Sequence, residues 1–320
     1  MALVGASLVP VQAAAFAYLE LDPSAGTYVS GPCVLASTPV VNAPSVPITP
    51  NGSKHVQSAA ATATYQSNAD PTDTLTQSNT LTAQARATAV GNRPASMTLS
   101  VKGSTRTTAS KASFACPATT YTGANVVSNF TLTTPTWANW ALSHRGPLMA
   151  EVDFSLDGDD PYFESGGEKT EGSSSGRYLL PPGSYNGYLE AEVRNGERSS
   201  QPLRAFSAEL SISFAPIGSA SARPSGKAKP YVTLPASRSC ATHDARAKVT
   251  SKAKRAKKIA SIAYTVNGKK TVTLKGNKVK RSKATSLKIA DHKPAKISAV
   301  VKLKNGKKLT TRASYLACSL

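Results

Sequence analysis

The chain has 320 residues, of which 40% are hydrophobic and only 6% aromatic, and a formal net charge of +20. That length suits two or three ordinary domains, each burying its own core, and the apolar content excludes a disordered chain. Thr, Ser, Ala and Val dominate the stretches that look ordered, which favours short half-buried strands over helices and makes the cores thin.

In chain order, residues 2–15 (ALVGASLVPVQAAA) have the apolar run of a secretory signal, with Ala13 and Ala15 in its A-x-A positions. The first basic residue is Lys54, so either the true start lies upstream or the segment is a mature strand, as in a virion protein. Strand patterns at 16–21, 59–66, 79–90 and 96–103, broken by Asn, Asp, Pro and Gly, mark a first β-sandwich domain over 16–119. Patterns at 129–133, 148–156, 188–194 and 208–214 mark a second sandwich over 120–217, with a turn at Pro181-Pro182-Gly183-Ser184-Tyr185. Met149, Val152, Phe154 and Leu156 do not alternate cleanly, so one large sandwich over 16–220 is the alternative. A small-residue, Pro-containing linker is expected at 218–228, and a basic domain at 229–320. Charge divides at the same place: residues 1–220 hold 12 Lys+Arg and 16 Asp+Glu, whereas residues 221–320 hold 26 and 2.

The four cysteines fall into two distant pairs, Cys33 with Cys116 and Cys240 with Cys318, and none has CxxC spacing. Zinc needs close-spaced ligands, so disulfides are expected. Each would close a loop of roughly 80 residues, worth about 4.5 kcal/mol by chain entropy, and would imply an oxidising compartment.

In the basic domain, alternating apolar residues flank Asn267-Gly268 and Asn305-Gly306, the signature of two hairpins. Shared parity on both arms argues for three-residue loops, with Ile262 opposite Val272 and Val301 opposite Leu309. With Ala245, Ala247, Val249, Leu287 and Ile289 on further strands, about seven short strands emerge. Cys318 has the wrong parity to share the face of Tyr315, which calls for a bulge. The segments AKVTSKAKRAKKIASIAYTVNGKK, KRSKATSLKIA and KLKNGKKLTTRASYLAC between Cys240 and Cys318 resemble the Lys-rich immunoglobulin-like modules that end secreted and surface proteins of actinobacteria. That resemblance, confined to the basic domain, implies an extracellular β-sandwich with no catalytic residues. Together with the sandwiches expected upstream, the fold class is all-β, with tandem β-sandwich (immunoglobulin-like) domains.

Three sets of residues are candidate sites. Lys248, Lys252, Lys254, Arg255, Lys257 and Lys258 form one basic run, Lys278, Lys280, Arg281 and Lys283 another, and Lys302, Lys304, Lys307 and Lys308 a third. Such a domain attracts polyanions by counterion release, for example anionic cell-wall polymer, while the lack of interleaved aromatics argues against sequence-specific nucleic-acid reading. Asp157, Asp159, Asp160 and Glu164 gather hard oxygens on a Gly/Ser-rich loop that could take Ca²⁺, the one cofactor considered, without EF-hand spacing. Trp137, Asn139, Trp140 and Arg145 could form a sugar-stacking site if the indoles are exposed.

No GxSxG, HExxH, P-loop or GxGxxG signature is present, and the four histidines are scattered. No stretch beyond the N-terminal segment reaches the ~18 apolar residues of a membrane span. The sequence therefore points to a non-enzymatic extracellular or cell-envelope protein whose basic module associates with anionic polymer. The alternatives are a carbohydrate-binding module protein and a structural subunit of a filament or virion.

Overall fold

The computed structural model describes residues 15–37, 40–156, 162–165 and 171–319. Among them, one compact unit runs to Thr134 and resumes over Ala138–Phe214, and a second comprises Pro135–Trp137 with the chain from Ala215 onward. Nearly all the regular structure of the described residues is antiparallel strand, as the β-branched and small-residue composition favours. Among them, no helix is long and apolar enough to cross a membrane.

The first unit is one sandwich of two sheets. The smaller contains β1 (Tyr18–Val29), β4 (Val46–Pro47), β8 (Ala118–Leu132), β10 (Met149–Leu156), β11 (Tyr162–Ser165) and β13 (Gly183–Asn195), in the order β11-β10-β13-β8-β1-β4. The larger contains β2 (Cys33–Ser37), β3 (Val40–Asn42), β5 (His55–Ser67), β6 (Thr74–Val90), β7 (Arg93–Ala109), β9 (Thr136–Arg145), β12 (Glu171–Leu180) and β14 (Gln201–Pro216). Its order is β12-β9-β14-β7-β6-β5-β2, with β3 also on β5. This corrects the division into separate sandwiches over 16–119 and 120–217. Strand β8 runs straight through residue 120 with β1 on one side and β13 on the other, and β7 pairs with β14 about a hundred residues away. The physical reason is the core: Leu21, Leu81, Leu99, Val126, Leu189 and Leu210 from both halves of the unit bury into a single cluster. Neither half could cover its thin, small-residue faces without the other.

Alternation extends back to the start of β6, but there the inward positions include Gln77 and Asn79. Each finds a partner, Gln77 Nε2 donating to the Glu197 carbonyl at 3.0 Å and Asn79 Nδ2 to the Thr120 carbonyl at 2.7 Å. Beyond them a satellite core of Tyr65, Leu75 and Phe114 packs around the Cys33–Cys116 disulfide. Several glycines exist to seat a ring from the neighbouring strand. Gly103 lies directly opposite Phe206, and a Cβ there would overlap both that ring and the Thr80 carbonyl oxygen.

The second unit is a sandwich of three and four strands. One sheet is β15 (Val232–Thr233), β16 (Asp244–Val249) and β19 (Ala284–Lys288); the other runs β18 (Lys269–Lys275), β17 (Ile259–Val266), β20 (Ala295–Leu303), β21 (Lys308–Tyr315). Val232, Ala247 and Leu287 of the first sheet meet Ile262, Tyr264, Ala299 and Val301 of the second. A fully buried large apolar side chain of this kind contributes about 1.5–3 kcal/mol.

The second hairpin has the predicted register, Val301 opposite Leu309, closed by a three-residue loop with Gly306 at φ +84°. The first does not. Asn267 (φ +50°) and Gly268 (φ +79°) form a two-residue turn, and the parity mismatch is absorbed by a bulge at Thr271, so Ile262 faces Leu274 and Val272 faces Tyr264. Both predicted disulfides form, and Cys318 reaches Cys240 because β21 ends at Tyr315 rather than through a bulge. The predicted linker at 218–228 is likewise corrected. Ala220 bridges Tyr315, Ser225 bridges Arg312, and Ala228 N–H donates to the Thr310 carbonyl at 3.1 Å. These residues satisfy the outer edge of β21, whose backbone groups would otherwise be unpaired.

Candidate polyanion-binding pole

Strand order decides where the lysines go. The connections β16–β17 (250–258), β18–β19 (276–283) and β20–β21 (304–307) all leave the second unit at the same end. Three backbone hydrogen bonds tie them together: Lys304 N–H to the Lys258 carbonyl at 2.8 Å, Val249 N–H to Lys283 at 2.9 Å, and Ser282 N–H to Thr250 at 3.3 Å. The first connection contains α1 (Ala253–Ala256), a single helical turn with no buried residue. It carries Lys252, Lys254, Arg255, Lys257 and Lys258, all exposed. The second carries Lys278, Lys280 and Arg281, exposed, and the half-buried Lys283; the third carries Lys304 and Lys307, both exposed.

The charge continues onto the adjoining strands. Lys275 and Lys302 flank Ser261 on β18, β17 and β20, and Lys302 lies directly opposite Lys308 on β21. Like charges placed opposite one another in a ladder cost stability. Lys248 is exposed on β16, opposite Ala284. Among the described residues none of these cations is in a salt bridge.

Both carboxylates of residues 221–320 are at the other end. Asp244 accepts hydrogen bonds from the hydroxyls of Ser286 and Thr242, which hold its pKa below the usual carboxylate range. Asp291 is paired with His243 Nδ1 at 2.5 Å. Near them lies a residue that sequence reasoning passed over. Arg238 is 3% exposed and donates to the carbonyls of Ala290 (2.7 Å), Asp291 (2.8 Å) and Lys293 (3.2 Å), and burial lowers its pKa. It staples the 290–293 turn. The domain thus has one densely cationic pole free of carboxylate and one pole that is hydrogen-bonded and disulfide-closed.

The other predicted sites fare differently. Trp137 and Trp140 are 5% and 9% exposed, so neither indole offers a sugar-stacking face. Trp137 Nε1 donates to the Ala317 carbonyl at 2.8 Å, and Trp140 fills the space left by Gly176, where a Cβ would come within 2.5 Å of its ring nitrogen. In a chain so poor in large side chains each indole is needed inside its own unit. Asn139 accepts from Arg177 Nε at 2.6 Å, and Arg145 is exposed. His144, next to it, is buried, and desolvation lowers its pKa.

Of the acidic loop, Asp157, Asp159 and Asp160 lie outside the described residues, and Glu164 pairs in register with Glu151 on β10. A different acidic set, not singled out from the sequence, crosses the outer face of the smaller sheet. Glu151, Glu190, Asn125 and Asp22 stand in one row, and Arg194 binds Glu192 beside it. Burial, then Glu192 and Glu151, push the Glu190 pKa up.

No protein-family model and no curated protein matches the chain. Among solved structures it is similar to the adhesin domain of Epf from Streptococcus pyogenes, at 11% identity and a TM-score of 0.21 over 83% of this chain and 91% of that one. It is also similar to a Paenibacillus xanthan lyase, at 9% identity and a TM-score of 0.20 over 80% of this chain and 38% of that one. Likeness this slight bears on neither function nor partner.

Proposed function

We propose that this is a non-enzymatic secreted or cell-surface protein that associates with anionic polymer through the basic pole of its second unit. One observation carries the reading: three sequence-separate lysine runs converge on one end of the sandwich, while both carboxylates lie at the other. Solvating charge alone needs no such segregation. Exposed lysines without fixed partners act as mobile point charges, suited to a regular run of negative charge rather than to one shaped ligand. Two disulfides and the all-β fold support an oxidising, extracellular setting. The three-plus-four sandwich supports assigning the second unit to the Lys-rich immunoglobulin-like modules it resembles.

The test compares two full-length variants of equal net charge for binding to long-chain polyphosphate and to purified cell wall across a salt series. One carries Lys252, Lys254, Lys257 and Lys258→Gln at the pole; the other carries Lys269, Lys270, Lys293 and Lys296→Gln at the opposite end. The pole variant is expected to flatten the log K against log salt slope by about 3, at roughly 0.7–0.9 per lost contact, and the distal variant by less than about 1. Equal losses would show that only net charge matters.

A further inference from the structure

The first unit carries a groove that the basic pole does not involve. It has a volume of about 750 Å³ and crosses the outer face of the larger sheet over β6, β7, β14, β9 and β12. Five adjacent strands at ~4.8 Å spacing give it a reach of about 19 Å. Hydroxyls predominate in its lining, among them Thr98, Ser100, Ser143, Ser173 and Ser211, with Gln84, Arg86 and Glu209 between them. A hydroxyl donates and accepts at once, so such a surface matches a ligand that is itself a polyol. A smaller groove of about 480 Å³ continues it through Ser100, Ser143 and Glu209 and adds Lys102 and Arg145.

Charge narrows the ligand further. Arg86 lines the main groove, and its Nε is buried without a hydrogen-bond partner. Arg86 and Lys102 outnumber Glu209 among the described lining residues, within a stretch, residues 1–220, whose 12 basic and 16 acidic residues leave it anionic. No Phe, Tyr or Trp lines either groove and the one imidazole there, His144, is buried, which leaves no platform for nucleic-acid bases.

We propose that this groove holds an extended acidic sugar chain, with the serine and threonine hydroxyls bonding sugar hydroxyls and the Arg86 guanidinium taking the carboxylate of a uronate residue. The planar fork of arginine fits a planar carboxylate through two parallel bonds. The proposal is independent of the basic pole and moves carbohydrate recognition from the buried tryptophans to the outer sheet face.

The experiment uses the full chain with Lys252, Lys254, Lys257 and Lys258→Gln as background, so that the pole contributes little. Binding of a galacturonic acid hexamer and of its methyl ester is measured calorimetrically at about 150 mM salt. The hexamer should bind, and the ester at least about tenfold more weakly. Arg86→Gln should cost a similar factor, and Ser143→Gln, an exposed change that narrows the groove without touching the core, should also weaken binding. Unchanged thermal unfolding in both variants shows that the fold persists. Equal affinity for acid and ester, no effect of Arg86→Gln, or no hexamer binding would overturn the proposal. A sulfated hexamer binding as tightly as the uronate would overturn the carboxylate assignment. Hexamer binding by the native chain that is absent from this background would overturn the groove while leaving the polyanion reading intact.

Discussion

Replacing Arg238 with methionine keeps most of the side-chain volume but removes the guanidinium. In the native unit that group serves the carbonyls of Ala290, Asp291 and Lys293. Asp291 would keep a partner, because Cys318 N–H also donates to its carbonyl at 2.9 Å. The Ala290 and Lys293 carbonyls would lose theirs, and a hydrogen bond to a charged group is worth about 1.5–3 kcal/mol. Removing a cation that burial penalises returns part of this. The balance is a loss of about 2–4 kcal/mol, confined to the second unit. Native-state hydrogen exchange resolves the two units separately. Amides of β17 and β20 should exchange about 30- to 700-fold faster, at 1.4 kcal/mol per decade, with those of β6 and β7 unchanged. Arg238→Lys should recover little, since one ammonium cannot span three acceptors. A change below about threefold in β17 and β20 would refute the stapling argument.

Two further outcomes follow from packing and titration. Gly103→Ala should destabilise the first unit by about 1–3 kcal/mol through overlap with Phe206 and Thr80, and adding Phe206→Leu should recover part of the loss in a denaturant melt. Tyr65, Tyr185, Tyr188, Tyr264 and Tyr315 have pKa values raised chiefly by burial, those of Tyr188 and Tyr264 to about 12. Their contribution is complete below pH ~10, where unfolded tyrosine stays neutral, and is lost as pH rises from ~10 towards 12. Absorbance titration should therefore show a late-ionising fraction of the 11 tyrosines that unfolds the protein as it titrates; a single transition near pH 10 without unfolding would contradict this.

What the sequence made legible was local. The second hairpin could be placed to the residue because Asn305-Gly306 and the parity of its arms agree with a three-residue loop. The first broke the same rule because a bulge at Thr271 leaves no mark in composition. Both disulfides followed from spacing and the absence of metal-ligand pairs. Pairing across distance was not legible: nothing in 93–109 announces 201–216 as its neighbour, since periodicity fixes a strand's faces and not its partner. For that reason one sandwich was split in two. The lysine runs were visible as composition, but their convergence on one pole depends on strand order. Arg238 resembled any surface arginine, and the tryptophans looked available for sugars until the scarcity of large side chains drew them inside.

Under the proposed function the pole, and not the charge at large, makes the contact. Acetylation footprinting of the full chain with and without long-chain polyphosphate tests it lysine by lysine. The account predicts protection of Lys254, Lys257, Lys278, Lys280 and Lys307, with Lys269, Lys293 and Lys296 modified at their free rate. Protection spread evenly over both ends, or none at low salt, would contradict it.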